Sequence, residues 1–146
     1  MDYQVQLILQ LALAVVLGAI LGLEREYKRK EAGLQTYSLV SLGACLFTII
    51  AFELFNLFSK NTGVSFDPSR IIQAVAVGIG FIGAGVIIYR QDRVEGITTA
   101  AGLWCSAAIG VAIGAEFYFL ALLTALFATV IFIGFGELER KLFKKD

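Results

Sequence analysis

Glu53 stands inside an apolar run, about five residues before the run closes at Phe58, or ~7 Å deep by helix rise. An acid at that depth must face protein or water. It is by default a functional candidate, as a proton or cation site, although a static ion pair with Lys60 or Arg70 accounts for it equally well. Glu24, Arg25 and Glu26 open a charged segment that continues through Lys28, Arg29 and Lys30. Their mixed signs suit a local ion-pair network, a contact surface for a protein partner or anionic lipid, or simply a solvated loop. Asp67-Pro68-Ser69-Arg70 reads as a helix start, with an N-cap acid and a proline at the first helical position. That reading leaves Arg70 free to pair with Asp67 or Glu53. Gly96-Ile97-Thr98-Thr99 reads as a turn followed by a threonine cap.

Several chemistries are excluded by what is missing. The chain has no histidine, and its two cysteines, Cys45 and Cys105, lie in separate apolar runs without the ligand spacing of a zinc site. Neither a Ser-His nor a Cys-His pair can be built, no metal constellation is visible, and no catalytic role or cofactor is expected. Gly78-Ile79-Gly80-Phe81-Ile82-Gly83 matches the dinucleotide-binding pattern letter for letter. That fingerprint requires a strand before it and a helix opening after it, whereas these glycines lie in the middle of an apolar 20-mer. They suit a helix face that a neighbouring backbone can approach, or an unwound stretch along a polar path.

The elements that must position these residues are membrane spans. Of the 146 residues 58% are hydrophobic and 16% charged, with a mean hydropathy of +0.80; this is more apolar than soluble domains usually are. Five runs stand out: Val5 to Leu23, Thr36 to Phe58, Arg70 to Tyr89, Ile97 to Ala115 and Phe117 to Gly136. Each can cross a ~30 Å hydrocarbon core as a helix. A spanning barrel would need alternating segments of about 10 residues, which these are not. The first run lacks a basic leader and a small-residue cleavage site, so it is expected to be a retained span. The expected architecture is therefore an all-α integral membrane bundle, with residues 1–136 as one five-span domain and 137–146 as a short basic tail.

Orientation follows from the short connections, because Lys and Arg are retained on the cytoplasmic side. Arg25, Lys28, Arg29 and Lys30 lie in one connection, Arg90 and Arg93 in another, and Arg140, Lys141, Lys144 and Lys145 in the tail. Lys60 and Arg70 alone fall on alternate connections. This asymmetry predicts an external N-terminus and a cytoplasmic C-terminus. Small residues at four-residue spacing mark close helix contacts: Ala14, Gly18 and Gly22; Ala76, Gly80 and Ala84; Gly102, Ser106, Gly110 and Gly114. Spans one, three and four should pack closely on these ribbons, within one chain or across a homodimer. Gly78, Gly83 and Gly85 join Gly80 as helix-packing candidates of the third span. The fifth span, with Phe117, Phe119, Phe127, Phe132 and Phe135, reads as an outer, lipid-facing helix.

In order and spacing, several pieces together resemble the membrane domain of the MgtC/SapB family of bacterial inner-membrane proteins. They are Gly22-Leu23-Glu24-Arg25-Glu26, Ala32-Gly33-Leu34-Gln35-Thr36, Ser41-Leu42-Gly43-Ala44, Asp67-Pro68-Ser69-Arg70, Gly78 to Gly85, and Gly96-Ile97-Thr98-Thr99-Ala100-Ala101-Gly102-Leu103-Trp104. The resemblance runs from about residue 18 to 120 and adds Trp104 to the candidates. Gln35 departs from the arginine expected in the family's Gly-Leu-Arg-Thr motif. The chain stops soon after the fifth span, so the soluble C-terminal domain of longer members is expected to be absent. The resemblance implies a link to growth in scarce magnesium and survival inside host cells, through restraint of the membrane ATP synthase and not through carrying magnesium. The expected class is a multi-pass regulatory or interaction protein of the bacterial plasma membrane, in contact with the bilayer and a membrane partner, with no nucleic acid. A small ion transporter or channel is the competing class; it would need polar groups converging at midplane, and the runs offer few.

Overall fold

In a computed structural model, residues 2–59 and 66–142 are described; Lys60, Lys144 and Lys145 lie outside them. The elements are α1 (Tyr3–Tyr27), α2 (Leu34–Phe58), α3 (Ser69–Val86), β1 (Ile88–Arg90), β2 (Arg93–Glu95), α4 (Ile97–Gly114), α5 (Tyr118–Val130), a π-helical turn (Ile131–Phe135) and α6 (Gly136–Leu142). Five helices are long and apolar enough to cross a membrane, the fifth running continuously from Tyr118 to Leu138. In hydrocarbon every backbone amide needs a partner within its own segment, which is why apolar runs of this length fold as helices.

At the core is α4, which packs against α1, α2, α3 and α5. Half of its most apolar stretch is buried, against 11% for α3. The buried stripe of α1 runs through Gln10, Ala14, Leu17, Gly18, Leu21, Gly22 and Arg25 at three- and four-residue steps. Its polar members stand at the two ends, about 22 Å apart along the axis, and the positions between them are apolar. Leu17, Leu21, Ala44, Cys45, Leu103, Ala107, Ile109 and Ala125 fill the middle of the bundle.

Two expectations from the sequence need correction here. The third span ends at Val86, not Tyr89, because the chain leaves the helix at Ile87 in an extended conformation and forms an antiparallel hairpin. The hairpin is a short connection within a fold that is otherwise helical, as expected. Ile88, Tyr89 and Arg90 pair with Glu95, Val94 and Arg93 across a two-residue turn in which Gln91 and Asp92 both have positive φ, 43° and 68°; this is the turn geometry whose twist matches that of paired strands. The Tyr89 hydroxyl donates to Asp92 Oδ1 at 3.1 Å. Gly96 then returns the chain to α4 at φ 89°, and a Cβ there would run into the Val86 carbonyl. Only glycine fits both demands.

The second correction concerns the helix starts. Gly96, not a threonine, occupies the cap position of α4, and no side chain caps that end. Asp67 does satisfy an opening amide of α3, accepting from Ser69 N at 2.9 Å.

Candidate functional site

The segments carrying Glu24 to Gly33, the hairpin and the start of α4, and the end of the fifth span converge at one end of the bundle, the basic end. Arg25 projects from the buried stripe of α1 and is 5% exposed. Its Nε lies 2.5 Å from Glu24 Oε2, and Lys28 Nζ lies 2.5 Å from the other oxygen of the same carboxylate. One acid therefore holds two cations. The guanidinium also sits over the Phe132 ring, 4.1 Å from its centroid, a contact that strengthens as water is excluded. Lys28 Nζ donates at 3.4 Å to the Phe132 carbonyl, which belongs to the π turn. A charge so deeply buried depends on its partner: removing one member of such a pair costs roughly 3–5 kcal/mol, because the other is stranded.

Beside Arg25 a second set of bonds fixes α2 and α4 to the 28–33 loop. The Thr99 hydroxyl donates to Glu31 Oε2 at 2.7 Å, and the Tyr37 hydroxyl donates to the Thr99 carbonyl at 3.1 Å. The Ser106 hydroxyl donates to the Tyr37 carbonyl at 2.8 Å. Thr99 holds the Glu31 carboxyl below the usual carboxylate range by this hydrogen bond. Glu26 Oε2 accepts from Leu34 N at 3.1 Å, closing the start of α2. Tyr37 is fully buried and meets Phe132 edge-on, 6.4 Å between centroids.

These bonds exist because backbones come close. A Cβ at Gly18 would stand 2.7 Å from the Tyr37 carbonyl oxygen, and one at Gly22 2.7 Å from Leu34 Cα. At Gly114 it would lie 2.6 Å from the Cys45 carbonyl oxygen; at Gly110 it would meet the Ser41 carbonyl, and at Gly102 the rings of Tyr37 and Phe132. Ser106, between them, is fully buried. The third ribbon differs. A Cβ at Gly78, Gly80 or Gly85 would meet nothing within 4 Å, and one at Gly83 would meet only Ala100, at 3.5 Å. The expectation of close packing on α3 within the chain is therefore overturned for three of its four glycines. Span five has the exposed outer face expected of it, with Phe117, Phe119, Phe127 and Phe135 exposed; Phe132 is the correction, since it is buried with Ala121, Ala125 and Ala128 on the inner face.

Glu53 lies at the opposite, acidic end. It makes no ion pair with Arg70 among the described residues; it stands beside the Tyr3 phenol at a cavity of about 300 Å³ that Gln6, Gln10, Asn56 and Glu116 also line. Gln6 donates to Glu116 Oε1 at 2.7 Å, and Gln10 donates to the Ile113 carbonyl at 3.3 Å and the Tyr118 hydroxyl at 3.1 Å. Asp67 is held below the usual carboxylate range by its bonds from Ser69 first, with the Arg70 charge assisting. Thr98 is exposed beside Arg25, and Trp104 is exposed on the outer side of α4. Sequence reasoning missed Glu31, Tyr37, Phe132 and the Gln10 pair. Their partners lie more than 60 residues away along the chain, and no local spacing announces them.

Comparison with known proteins places the chain among relatives. It is 37% identical over 141 residues to a protein of Escherichia coli (strain K12) named putative magnesium transporter YhiD, covering 97% of this chain and 66% of that one. Protein SapB of Bacillus subtilis (strain 168) is 38% identical over 128 residues, 87% of this chain and 53% of that protein. Protein MgtC of Brucella abortus (strain 2308) is 39% identical over 132 residues, 90% of this chain and 50% of that protein. The chain thus spans about half to two thirds of the length of these relatives. No solved structure matches it. The family model described as MgtC family matches residues 11–141, so nearly the whole bundle, including the basic end and the glycine faces of α1 and α4, belongs to the MgtC family.

Proposed function

We propose that the chain is a regulatory protein of the bacterial plasma membrane that acts by binding another membrane protein, with the basic end facing the cytoplasm. One observation carries the reading: the buried charged and amide side chains, Arg25 and Gln10, stand at the two ends, and the middle of the described interior holds only the hydroxyls of Ser41, Thr48 and Ser106 as fully buried polar groups. At the basic end Arg25 and Lys28 are taken up by Glu24, and Thr99 by Glu31 and Tyr37; in the middle the Thr48 and Ser106 hydroxyls donate to backbone carbonyls, and apolar side chains and close backbone contacts fill the rest. Among the described residues no charged relay runs between the ends for an ion to follow. The partner suggested by the family is the ATP synthase membrane sector. Purified chain added to inverted membrane vesicles should reduce ATP-driven proton pumping and co-purify with that sector. Full pumping with no association would exclude this partner. Reporter fusions at residues 30 and 93 should read inside and one at residue 62 outside; the reverse result would overturn the orientation.

A transporter is the second reading, favoured by the cavity at the acidic end, where Glu53 and Glu116 stand with amide side chains and without a lining Lys or Arg. On the regulatory reading, proteoliposomes of the purified chain take up neither magnesium nor protons. Uptake that is lost in Glu53→Gln would instead establish the transporter.

A further inference from the structure

Two clefts flank Arg25 at the basic end. One, of about 630 Å³, is lined by Arg25, Lys28, Lys30 and Thr98 on its polar side and by Ile131 and Phe135 on the other. Those two side chains are 48% and 63% exposed on the outer surface of the fifth span, so the cleft opens at once toward the charged end and toward the lipid-facing wall. Arg25 carries five N–H donors in a rigid fork. Nε is taken by Glu24, and among the described residues no acceptor receives a hydrogen bond from Nη1 or Nη2. The side chain is 95% buried and lines both clefts, so its two remaining guanidinium nitrogens suit an acceptor that presents a pair of oxygens to the fork, as a phosphate or carboxylate does. The cleft is not purely cationic. Glu24 lies beneath Arg25 and Lys28, and Glu137, which has interactions of its own, lines the mouth. Lys30 makes no such pair among the described residues and supplies the remaining positive charge at the rim.

We infer that this cleft seats the phosphate headgroup of an anionic membrane lipid, with Arg25, Lys28 and Lys30 around the phosphate and an acyl chain along Ile131 and Phe135. Charge complementarity and the apolar wall together choose the occupant: a soluble phosphate would use the cations but leave the wall uncovered. The inference stands apart from the proposed protein partner, since it concerns one side of Arg25 and is read without that partner.

The test uses the purified full chain in detergent. Binding of phosphatidylglycerol, phosphatidylcholine and inorganic phosphate is measured by native mass spectrometry and by the shift in thermal unfolding. Phosphatidylglycerol should bind selectively over phosphatidylcholine. Lys30→Gln, on an exposed loop residue, should weaken that selectivity by about five-fold, the factor expected for one juxtamembrane cation, and Lys28→Gln should add to it. Arg25→Lys, which keeps the charge but removes the fork, should lower selectivity further; if it fails to fold, the lysine variants decide. Equal binding of the two lipids, or selectivity unchanged in Lys28→Gln/Lys30→Gln, would overturn the proposal. Inorganic phosphate that stabilises as much as the lipid and displaces it would show a soluble phosphate to be the occupant and overturn the lipid assignment.

Discussion

Helices α3 and α4 have the same length and each carries small residues at four-residue spacing, yet they do opposite things. In α4 the glycines meet backbone: Gly110 faces the Ser41 carbonyl and Gly114 the Cys45 carbonyl. In α3, Gly78, Gly80 and Gly85 face open space. Small residues every four positions permit close approach but do not cause it; what decides is whether a second helix is held there. Helix α4 is held at its start, by Tyr37 and Glu31 on either side of Thr99. Helix α3 leans mainly on α4 and has little contact with α2, leaving between them an apolar groove of about 730 Å³ lined in part by Gly43 and Gly78.

The largest effect that tests this contrast is Gly110→Leu. The obstacle is main chain, so the substitution should exceed the ~1–3 kcal/mol usual for an overpacked core and prevent a stable bundle; near-normal unfolding of the purified variant would refute the α2–α4 contact. Next comes Glu24→Gln, which leaves the buried Arg25 without its carboxylate and should cost ~3 kcal/mol or more. Adding Arg25→Met should recover part of the loss, because the uncompensated buried charge is then gone. A double variant no more stable than the single one would mean that Arg25 acts by packing on Phe132 alone.

Thr99→Val should cost only ~1 kcal/mol, since its partner Glu31 is solvent-exposed. It should also change the pH profile. Glu31 is held below its ordinary value, so the contact stabilises the fold above the unfolded carboxylate's pKa and is lost as pH falls through the lowered folded value. The difference in stability between the chain and Thr99→Val should shrink in acid; a constant difference from neutral pH to about pH 3 would show that Glu31 is not the responsible partner. The smallest effect is expected for Gly80→Ala, neutral or stabilising by up to ~1 kcal/mol through helix propensity. Destabilisation there, or a changed oligomer size, would reveal that a second molecule covers α3 in the membrane.

The five spans were legible in the residues because hydrocarbon imposes one rule on every position of a run. Gly18, Gly22 and Gly110 were legible as contact candidates for the same reason, since spacing of four maps onto one face. That logic could not separate α3 from α4, because the difference lies in the neighbour and not in the ribbon. The hairpin at Ile88–Glu95 was hidden by the hydrophobicity of Ile87, Ile88 and Tyr89, which continue the apolar run after its helix has ended. Phe132 looked like any other aromatic on an outer helix. Its burial depends on Arg25 and Gly102, 107 and 30 positions away in the chain.

The π turn at Ile131–Phe135 amounts to a phase shift. One extra residue in a helical turn displaces everything after it by about 100° around the axis and 1.5 Å along it. The direction in which α6 leaves the span is therefore set by that insertion, and Lys28, bonded to the Phe132 carbonyl inside it, holds the setting from just beyond the end of α1. Deleting a single residue from this stretch would preserve the composition of the span and its length to within one residue, yet turn α6 by more than a quarter of a revolution.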